Sequence, residues 1–274
     1  MPTTSTECCV IKAPCLVCLD LLHCDGTQYL NIVSPSLELL SAHDVHYLML
    51  NCFMNCKKLR VLILRYDKVV DNLIHDERST LEKLLFSLAP TIEELNLDSF
   101  FLELCGADTV PKMRSRALNC LWPLSFYVNF DKFSPTSGAL QLIKSLPILS
   151  ELDITVRSTS DNAEAVSKYL NTPACLDRSL NKLKRVVIRC FKGSKTELLF
   201  IKLFLARTPS LVRIIIKPLR DFCSCEESNI TTKLTSFPRV SPEAEIFYSD
   251  ACLNIPISSS SQQLGLISST KFVF

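Results

Sequence analysis

Glycine and histidine are scarce in this chain, and their scarcity limits what the protein can do. Only five glycines occur among the 274 residues, too far apart to assemble a glycine-rich phosphate loop. The chain contains four histidines and no G-x-S-x-G motif, so no sequence pattern points to an activated nucleophile. We therefore expect no nucleotide cofactor, no catalytic residues and no enzymatic activity.

Long apolar runs are also missing. No segment approaches the roughly 18 to 20 consecutive apolar residues that a membrane span needs. The N-terminal segment lacks the basic-then-apolar order of an export signal, because Lys12, Pro14 and Asp20 interrupt it. We expect a protein of the cytoplasm and/or nucleus, without membrane contact, whose fourteen cysteines are mostly reduced thiols.

One group of cysteines superficially resembles a zinc site. Cys15-x-x-Cys18 is followed by His23 and Cys24, but tetrahedral zinc needs four converging ligands and no second C-x-x-C follows. Cys18 also falls within a predicted strand. Packing or exposure of ordinary thiols explains these residues better, and no metal is expected.

What the chain does contain is a repeat. In eight segments an apolar residue is followed three and five positions later by two more. These runs begin at Leu16, Leu37, Leu59, Ile92, Leu121, Leu149, Leu183 and Leu211. Their spacings are 21, 22, 33, 29, 28, 34 and 28 residues, close to the leucine-rich-repeat period of roughly 20 to 29. In five of the eight a proline stands two residues upstream: Pro14, Pro35, Pro90, Pro147 and Pro209.

The spacing within each run predicts a strand. The last two apolar residues lie two positions apart, so on a strand they share one face. Strands this short become stable when they stack beside equivalent neighbours in a parallel sheet. Segments between the runs can be helical, as at 79–88 and 163–170. The predicted fold is α/β: a leucine-rich-repeat solenoid with a curved parallel sheet and irregular helices on its convex side.

The last third of the chain has the order strand, helix, strand, loop and short final strand. Ser194 can cap the free N–H groups of the helix, and Glu197, three residues on, can bond back, which makes a capping box. Leu198, Ile201 and Leu205 give the helix an apolar face.

This segment resembles the FBD domain at the C-terminus of plant F-box/leucine-rich-repeat proteins. The resemblance rests on LKRVVI, on G-x-x-x-E-L-x-x-I-K-x-x-L from Gly193 to Leu205, on PSLVRIII, and above all on FPRVSPEAEIFY at 237–248. The P-x-L-x-x-L-x-L strands upstream are similar to the irregular repeats of the same family. The resemblance implies a leucine-rich-repeat region at 8–177 and an FBD domain at 178–250 that continues the solenoid. The serine-rich, aperiodic segment 251–274 is expected to be a mobile tail.

Nothing in the sequence resembles the F-box with which members of that family usually open. In the family the F-box binds the Skp adaptor of a cullin–RING ubiquitin ligase, and the repeats hold the target. The resemblance therefore implies the target-recognition part of such an adaptor, which binds an unknown target protein but, without an F-box, not the Skp adaptor. Two alternatives stay open: a truncated regulatory decoy that holds targets without delivering them, or a silent remnant.

The side chains that flank the buried residues of each strand are expected to point outward on the concave face. They are acidic in the middle repeats and basic in the last two, which predicts a partner-binding surface with a charge step. Contact with water would also favour polar residues there, but it would not segregate the signs. The candidate partner-binding residues are Glu94, Asp98, Tyr127, Glu151, Asp153, Arg185, Arg189, Arg213 and Lys217.

The basic charge is concentrated in one segment. Residues 178–220 contain twelve basic residues and one acidic residue, Glu197, a net charge of +11. Such a charge would attract nucleic-acid phosphates. However, Phe191, Phe200 and Phe204 are needed for packing, and the charges are spread over two strands and a helix. A basic nucleic-acid-binding domain therefore ranks below protein binding.

Overall fold

The structure of the chain, a computed structural model, describes residues 8–23, 29–45, 50–66, 75–105, 118–158, 163–219, 224–248 and 270–273. Its main feature is a ten-stranded sheet whose paired strands are all parallel. The described residues form twelve strands, ten in this sheet and two in a separate one. They are β1 (Cys8–Lys12), β2 (Cys18–Leu22), β3 (Tyr29–Val33), β4 (Leu39–His43), β5 (Val61–Arg65), β6 (Glu94–Leu97), β7 (Pro123–Asn129), β8 (Glu151–Ser158), β9 (Arg185–Phe191), β10 (Arg213–Pro218), β11 (Glu245–Tyr248) and β12 (Thr270–Val273).

The helices fall between these strands. They are α1 (His75–Leu88), α2 (Ser99–Leu104), α3 (Phe133–Lys144), α4 (Glu164–Leu170), α5 (Lys195–Arg207) and α6 (Ser224–Ser236), with 3-10 turns at Leu50–Asn55 and Pro173–Leu176. Across the main sheet the order is β11-β10-β9-β8-β7-β6-β5-β4-β2-β12, and β1 pairs with β3 in a separate sheet.

Each of the eight predicted runs contains a strand of the main sheet. The strand begins two residues after the first residue of the run, as at Leu37 and Leu39 for β4 or Leu211 and Arg213 for β10. The first residue of the run is buried as well, with Leu37 and Leu211 both 0% exposed. The predicted α/β architecture, with parallel strands that neighbour one another in sequence order, is confirmed.

A tight turn precedes most of these strands and explains the upstream prolines. The N–H of Leu37 donates to the carbonyl of Ser34 (3.2 Å), and that of Leu211 donates to the carbonyl of Thr208 (3.3 Å). Pro35 therefore occupies the second position of its turn, as Pro209 does in its own. The fixed φ of proline suits that position, and no N–H is needed there.

A second backbone feature aligns the repeats with one another. The carbonyl of Trp122 accepts from the N–H groups of Ser150 (2.9 Å) and Glu151 (3.2 Å) in the next repeat. The same double acceptance recurs at the carbonyls of Val17, Glu38, Arg60, Ser150 and Lys184. Because each repeat starts at the same height as its neighbour, equivalent side chains form straight rows across the sheet.

The apolar core lies between the sheet and the helices. Alternate strand residues such as Leu95 and Leu97 are fully buried, and α2 and α3 both contact β7. The predicted helical segment 79–88 corresponds to the C-terminal part of α1, and the predicted segment 163–170 corresponds to α4. The predicted capping box is confirmed: the Ser194 hydroxyl accepts from Glu197 N, and the Glu197 carboxylate accepts from Ser194 N, at the start of α5.

Two regions differ from the expected repeat. β3 follows β2, and a 3-10 turn lies between β4 and β5, where the general pattern predicted helices. The first two spacings, of 21 and 22 residues, leave less chain for an α-helix than the later ones. In the segment expected to be mobile, Thr270–Val273 forms a strand parallel to β2. The rest of 251–274 lies outside the described residues.

Candidate functional site: the open face of the sheet

One face of the sheet packs against the helices, and the other carries most of the predicted site residues. Strand side chains alternate, so the residues between the buried leucines project from this second face, which we call the open face. The first row, at the strand starts, contains Cys18, Leu39, Val61, Glu94, Pro123, Glu151, Arg185, Arg213 and Glu245. The middle row contains Asp20, Ser41, Ile63, Asn96, Ser125, Asp153, Val187, Ile215 and Phe247. The end row contains Leu22, His43, Arg65, Tyr127, Thr155, Arg189 and Lys217.

Eight of the nine predicted partner-binding residues lie in these rows. They are Glu94, Glu151, Arg185 and Arg213 in the first row, Asp153 in the middle row, and Tyr127, Arg189 and Lys217 in the end row. Period-two alternation along each strand was enough to find them. Their binding role stays a prediction.

Asp98 is the exception, and its prediction as a surface residue is wrong. β6 ends one residue earlier, and Asp98 is the N-cap of α2, only 1% exposed. Its carboxylate accepts from the N–H groups of Phe100 (3.0 Å), Phe101 (3.2 Å) and Tyr66. Burial raises the pKa of Asp98 to about 7, although these N–H groups and the positive charge of Arg157 act in the opposite direction.

Two ion pairs join β8 to β9 on the open face. Arg189 donates from Nε to Asp153 Oδ1 (2.9 Å) and from Nη2 to Asp153 Oδ2 (2.8 Å), and both side chains are mostly buried. Arg185 Nη1 lies 3.5 Å from Glu151 Oε2, with both side chains about half exposed. The acidic residues of the middle repeats and the basic residues of the last two thus pair where β8 adjoins β9, which partly neutralises the predicted charge step at that point.

On the next two strands, β10 and β11, an arginine of the first row lies over an aromatic ring. Arg213 is exposed, and its guanidinium carbon lies 4.7 Å from the ring centre of Phe247. Phe247 follows Glu245 on β11 and is itself 40% exposed. Arg213 and Phe247 therefore form a cation–π pair on the open face, the kind of contact that is frequent at protein interfaces.

Two arginines near Tyr127 were missing from the predicted site. The guanidinium carbon of Arg65 lies 5.0 Å from the ring centre of Tyr127, and that of Arg157 lies 4.8 Å from it. Arg65 is in the end row, and Arg157 stands two residues beyond Thr155 on the same strand. Extending the period-two alternation beyond Thr155 would have identified Arg157.

Comparison with known proteins adds no relative: no protein-family model matches the chain, and no curated protein matches it. Within the part of the chain that the structure describes, no helix is long and apolar enough to cross a membrane. Across those same segments, no three His, Cys, Asp or Glu side chains cluster closely enough to hold a metal ion. The candidate functional site is the open face, because charged and aromatic side chains line up there in rows.

Proposed function

We propose that the chain is a non-enzymatic protein-binding module that holds its target on the open face of a leucine-rich-repeat solenoid. The repeated turn and the shared starting height of the strands support the repeat architecture. The observation that carries the proposal is the alignment of charged and aromatic side chains in rows across this face. Such rows present an extended surface of the kind that repeat proteins use to bind partners.

The composition of the open face favours a protein partner. Acidic Glu94 and Glu151 share the first row with basic Arg185 and Arg213. The acidic side chains would repel nucleic-acid phosphates, whereas a protein surface can match both signs. Arginine and aromatic residues are also the types enriched at the centres of protein interfaces.

The resemblance to F-box/FBD proteins suggests which kind of target this is. On that basis, the target is a protein selected for a cullin–RING ubiquitin ligase, and 178–250 is an FBD unit that continues the solenoid. The open face then serves recognition, and a separate part of the ligase carries out the chemistry.

A charge-reversal experiment tests the proposal. The variant Arg185→Glu/Arg213→Glu changes two exposed arginines of the first row. Arg189 is left in place because its side chain is mostly buried and donates two hydrogen bonds to Asp153. The matched control, Lys195→Glu/Lys233→Glu, makes the same change in charge on two exposed helical lysines.

Target capture from a lysate of the source organism is quantified for the wild-type chain and both variants at several salt concentrations. We expect at least one protein to bind the wild-type chain and the control alike, and to lose about tenfold in affinity with the reversal, since exposed charges contribute up to roughly 1 kcal/mol each. Wild-type binding should weaken as salt rises. Equal capture by all three chains would refute the proposal.

A further inference from the structure

β11 forms one edge of the main sheet: it pairs with β10, and no strand of the described residues lies on its other side. The N–H of Glu245 donates to the carbonyl of Val212, the residue before β10 (3.0 Å). Because the backbone groups of successive strand residues point to opposite sides, the N–H and C=O of Ile246 point away from β10. Groups of this kind at a sheet edge can pair with a further extended segment.

The side chains of β11 also receive less cover than those of the strand beside it. Ile214 of β10 is 0% exposed, whereas Ile246, its partner in register, is only partly buried. Phe247 is 40% exposed. A solenoid buries the face of each repeat against the next one, so the end of the repeat array leaves apolar surface at this edge.

A pocket of about 400 Å³ lies beside this edge, where α6 meets β11. Its lining from α6 includes Leu234, which is buried, and the exposed Thr231 and Thr235, which follow one another at helical spacing. Ala244 and Ile246 contribute from the other side. The pocket is therefore largely apolar, and it has room for more than one aliphatic side chain.

The segment that joins α6 to β11 is fixed to the rest of the fold. The N–H of Val240 donates to the carbonyl of Leu205 (3.0 Å), and the hydroxyl of Ser241 donates to the carbonyl of Leu211 (2.6 Å). The pocket is thus preformed, which lowers the ordering cost that a ligand would have to offset.

Arg239 adds a positive charge to the lining of the pocket. Its Nη1 donates to the carbonyl of Ala244 (2.8 Å), and within the described residues this is its only hydrogen bond. The remaining N–H groups of this exposed guanidinium can bind a carboxylate. Glu245 lines the pocket as well, but the strand alternation places it in the first row of the open face, beside Arg213.

We propose that the edge of β11 is a second binding site, which takes an extended peptide segment of another protein as an additional strand. The backbone of the segment pairs with the outward groups of Ile246, its alternate apolar side chains fill the pocket, and a carboxylate at one end binds Arg239. The segment it selects is apolar at every second position and acidic at an end. The proposal does not depend on the function assigned to the open face.

Synthetic peptides titrated into the full chain by calorimetry test this site. The probe is the N-acetylated, C-amidated heptapeptide Glu-Val-Thr-Val-Thr-Val-Glu, whose pattern reads the same in both strand directions. One control peptide has lysine in place of both glutamates, and another carries a methyl group on every valine and threonine nitrogen, which removes the N–H donors. We expect saturable binding of the probe and about tenfold weaker binding of both controls. Equal binding of the N-methylated peptide, or no saturable binding of the probe, would overturn the proposal.

Two variants with matched controls locate the site. Arg239→Gln should weaken binding of the probe about fivefold, whereas Lys233→Gln, at an exposed lysine of α6 away from the pocket lining, should not. Thr235→Tyr places a ring in the pocket and should weaken binding by a similar factor, and Thr232→Tyr on the same helix should leave it unchanged. All four positions are exposed, so the fold should tolerate the changes. Unchanged affinity in either pocket variant would overturn the assignment.

A second copy of the chain is another occupant that a sheet edge admits, because two edges can pair across a two-fold axis. Sedimentation velocity of the full chain separates this case from peptide binding. We expect a monomer at the concentrations used for calorimetry. A dimer that binds no probe peptide would assign the edge to self-association, and the proposal would be wrong.

Discussion

Arg189 on β9 donates two hydrogen bonds to the carboxylate of Asp153 on β8, at 2.9 Å and 2.8 Å. The two residues are not directly opposite, since Asp153 aligns with Val187 and Arg189 with Thr155, so the arginine reaches back along the sheet. The sequence predicted both residues as partner contacts. The structure gives them a second role, the lateral coupling of two repeats.

That coupling predicts a measurable interaction energy. Both side chains are mostly buried, and two hydrogen bonds join them. We therefore expect Arg189→Gln and Asp153→Asn each to destabilise the fold by about 1 to 2 kcal/mol. The double variant should cost clearly less than the sum of the two. Urea unfolding of all four chains measures this. Additive losses would show that the pair does not couple the repeats.

The raised pKa of Asp98 predicts that the stability of the fold depends on pH. Its folded pKa of about 7 lies above the ordinary value of 3.8, so the folded chain retains a proton that the unfolded chain has released. Its contribution is fully present below pH 4 and is lost as pH rises through 7. The free energy of unfolding should therefore fall by up to about 1.4 kcal/mol per pH unit between these values.

Asp98→Asn is the variant that isolates this effect. Asparagine also caps helices through its side-chain oxygen, so the bonds from Phe100 and Phe101 can persist without the titration. We expect the variant to unfold with a flatter pH dependence between pH 5 and 8 when urea titrations are followed by circular dichroism. Equal slopes for the two chains would mean that Asp98 titrates normally.

In the capping box of α5, the carboxylate of Glu197 should contribute more to the stability of the fold than the hydroxyl of Ser194. Glu197 is 1% exposed, and its carboxylate accepts from the N–H groups of Ser194 (2.7 Å) and Lys192 (3.1 Å). Glu197→Ala removes both acceptors and should cost about 2 to 3 kcal/mol, because buried donors are left without partners. Ser194→Ala should cost about 1 kcal/mol. Thermal unfolding ranks the two, and the reverse order would contradict this assignment.

Gly138 tests the contact between α2 and α3. A Cβ at this position would lie 1.8 Å from the carbonyl oxygen of Leu102, so the helices would have to separate. Gly138→Ala should destabilise the chain by about 3 kcal/mol despite the better helix propensity of alanine. Ser134→Ala, at an exposed position of the same helix, should change stability by less than about 0.5 kcal/mol. Similar effects of the two changes would mean that the helices are not in close contact.

Local patterns were sufficient for eight strands of the main sheet and for the best-capped helix. Each of those eight strand starts follows from an apolar spacing that a single repeat contains, and the Ser194–Glu197 box lies within four residues. Asp98 was assigned to the wrong place because alternation was extended one residue beyond the end of β6, where the chain turns into α2.

Non-local relationships could not be predicted in the same way. The pairing of Arg189 with Asp153 depends on the register between two strands about 34 residues apart, which is set by the stacking of whole repeats. Alternation beyond Thr155 points to Arg157, but the β-bulge at which Arg157 lies has no signal in the local sequence. β1 and β3 contain none of the repeated runs, so nothing indicated their pairing.

Site-specific photo-crosslinking tests the central claim most directly, because it reports which face of the sheet touches the partner. A benzophenone side chain can replace Phe247, which is 40% exposed on the open face, or Phe86, which is 42% exposed on α1. Irradiation in the presence of a captured target should give a crosslinked product for the Phe247 variant and none for the Phe86 variant. A product from the Phe86 variant alone would show that the partner binds the helical side, and the assignment of the open face would be wrong.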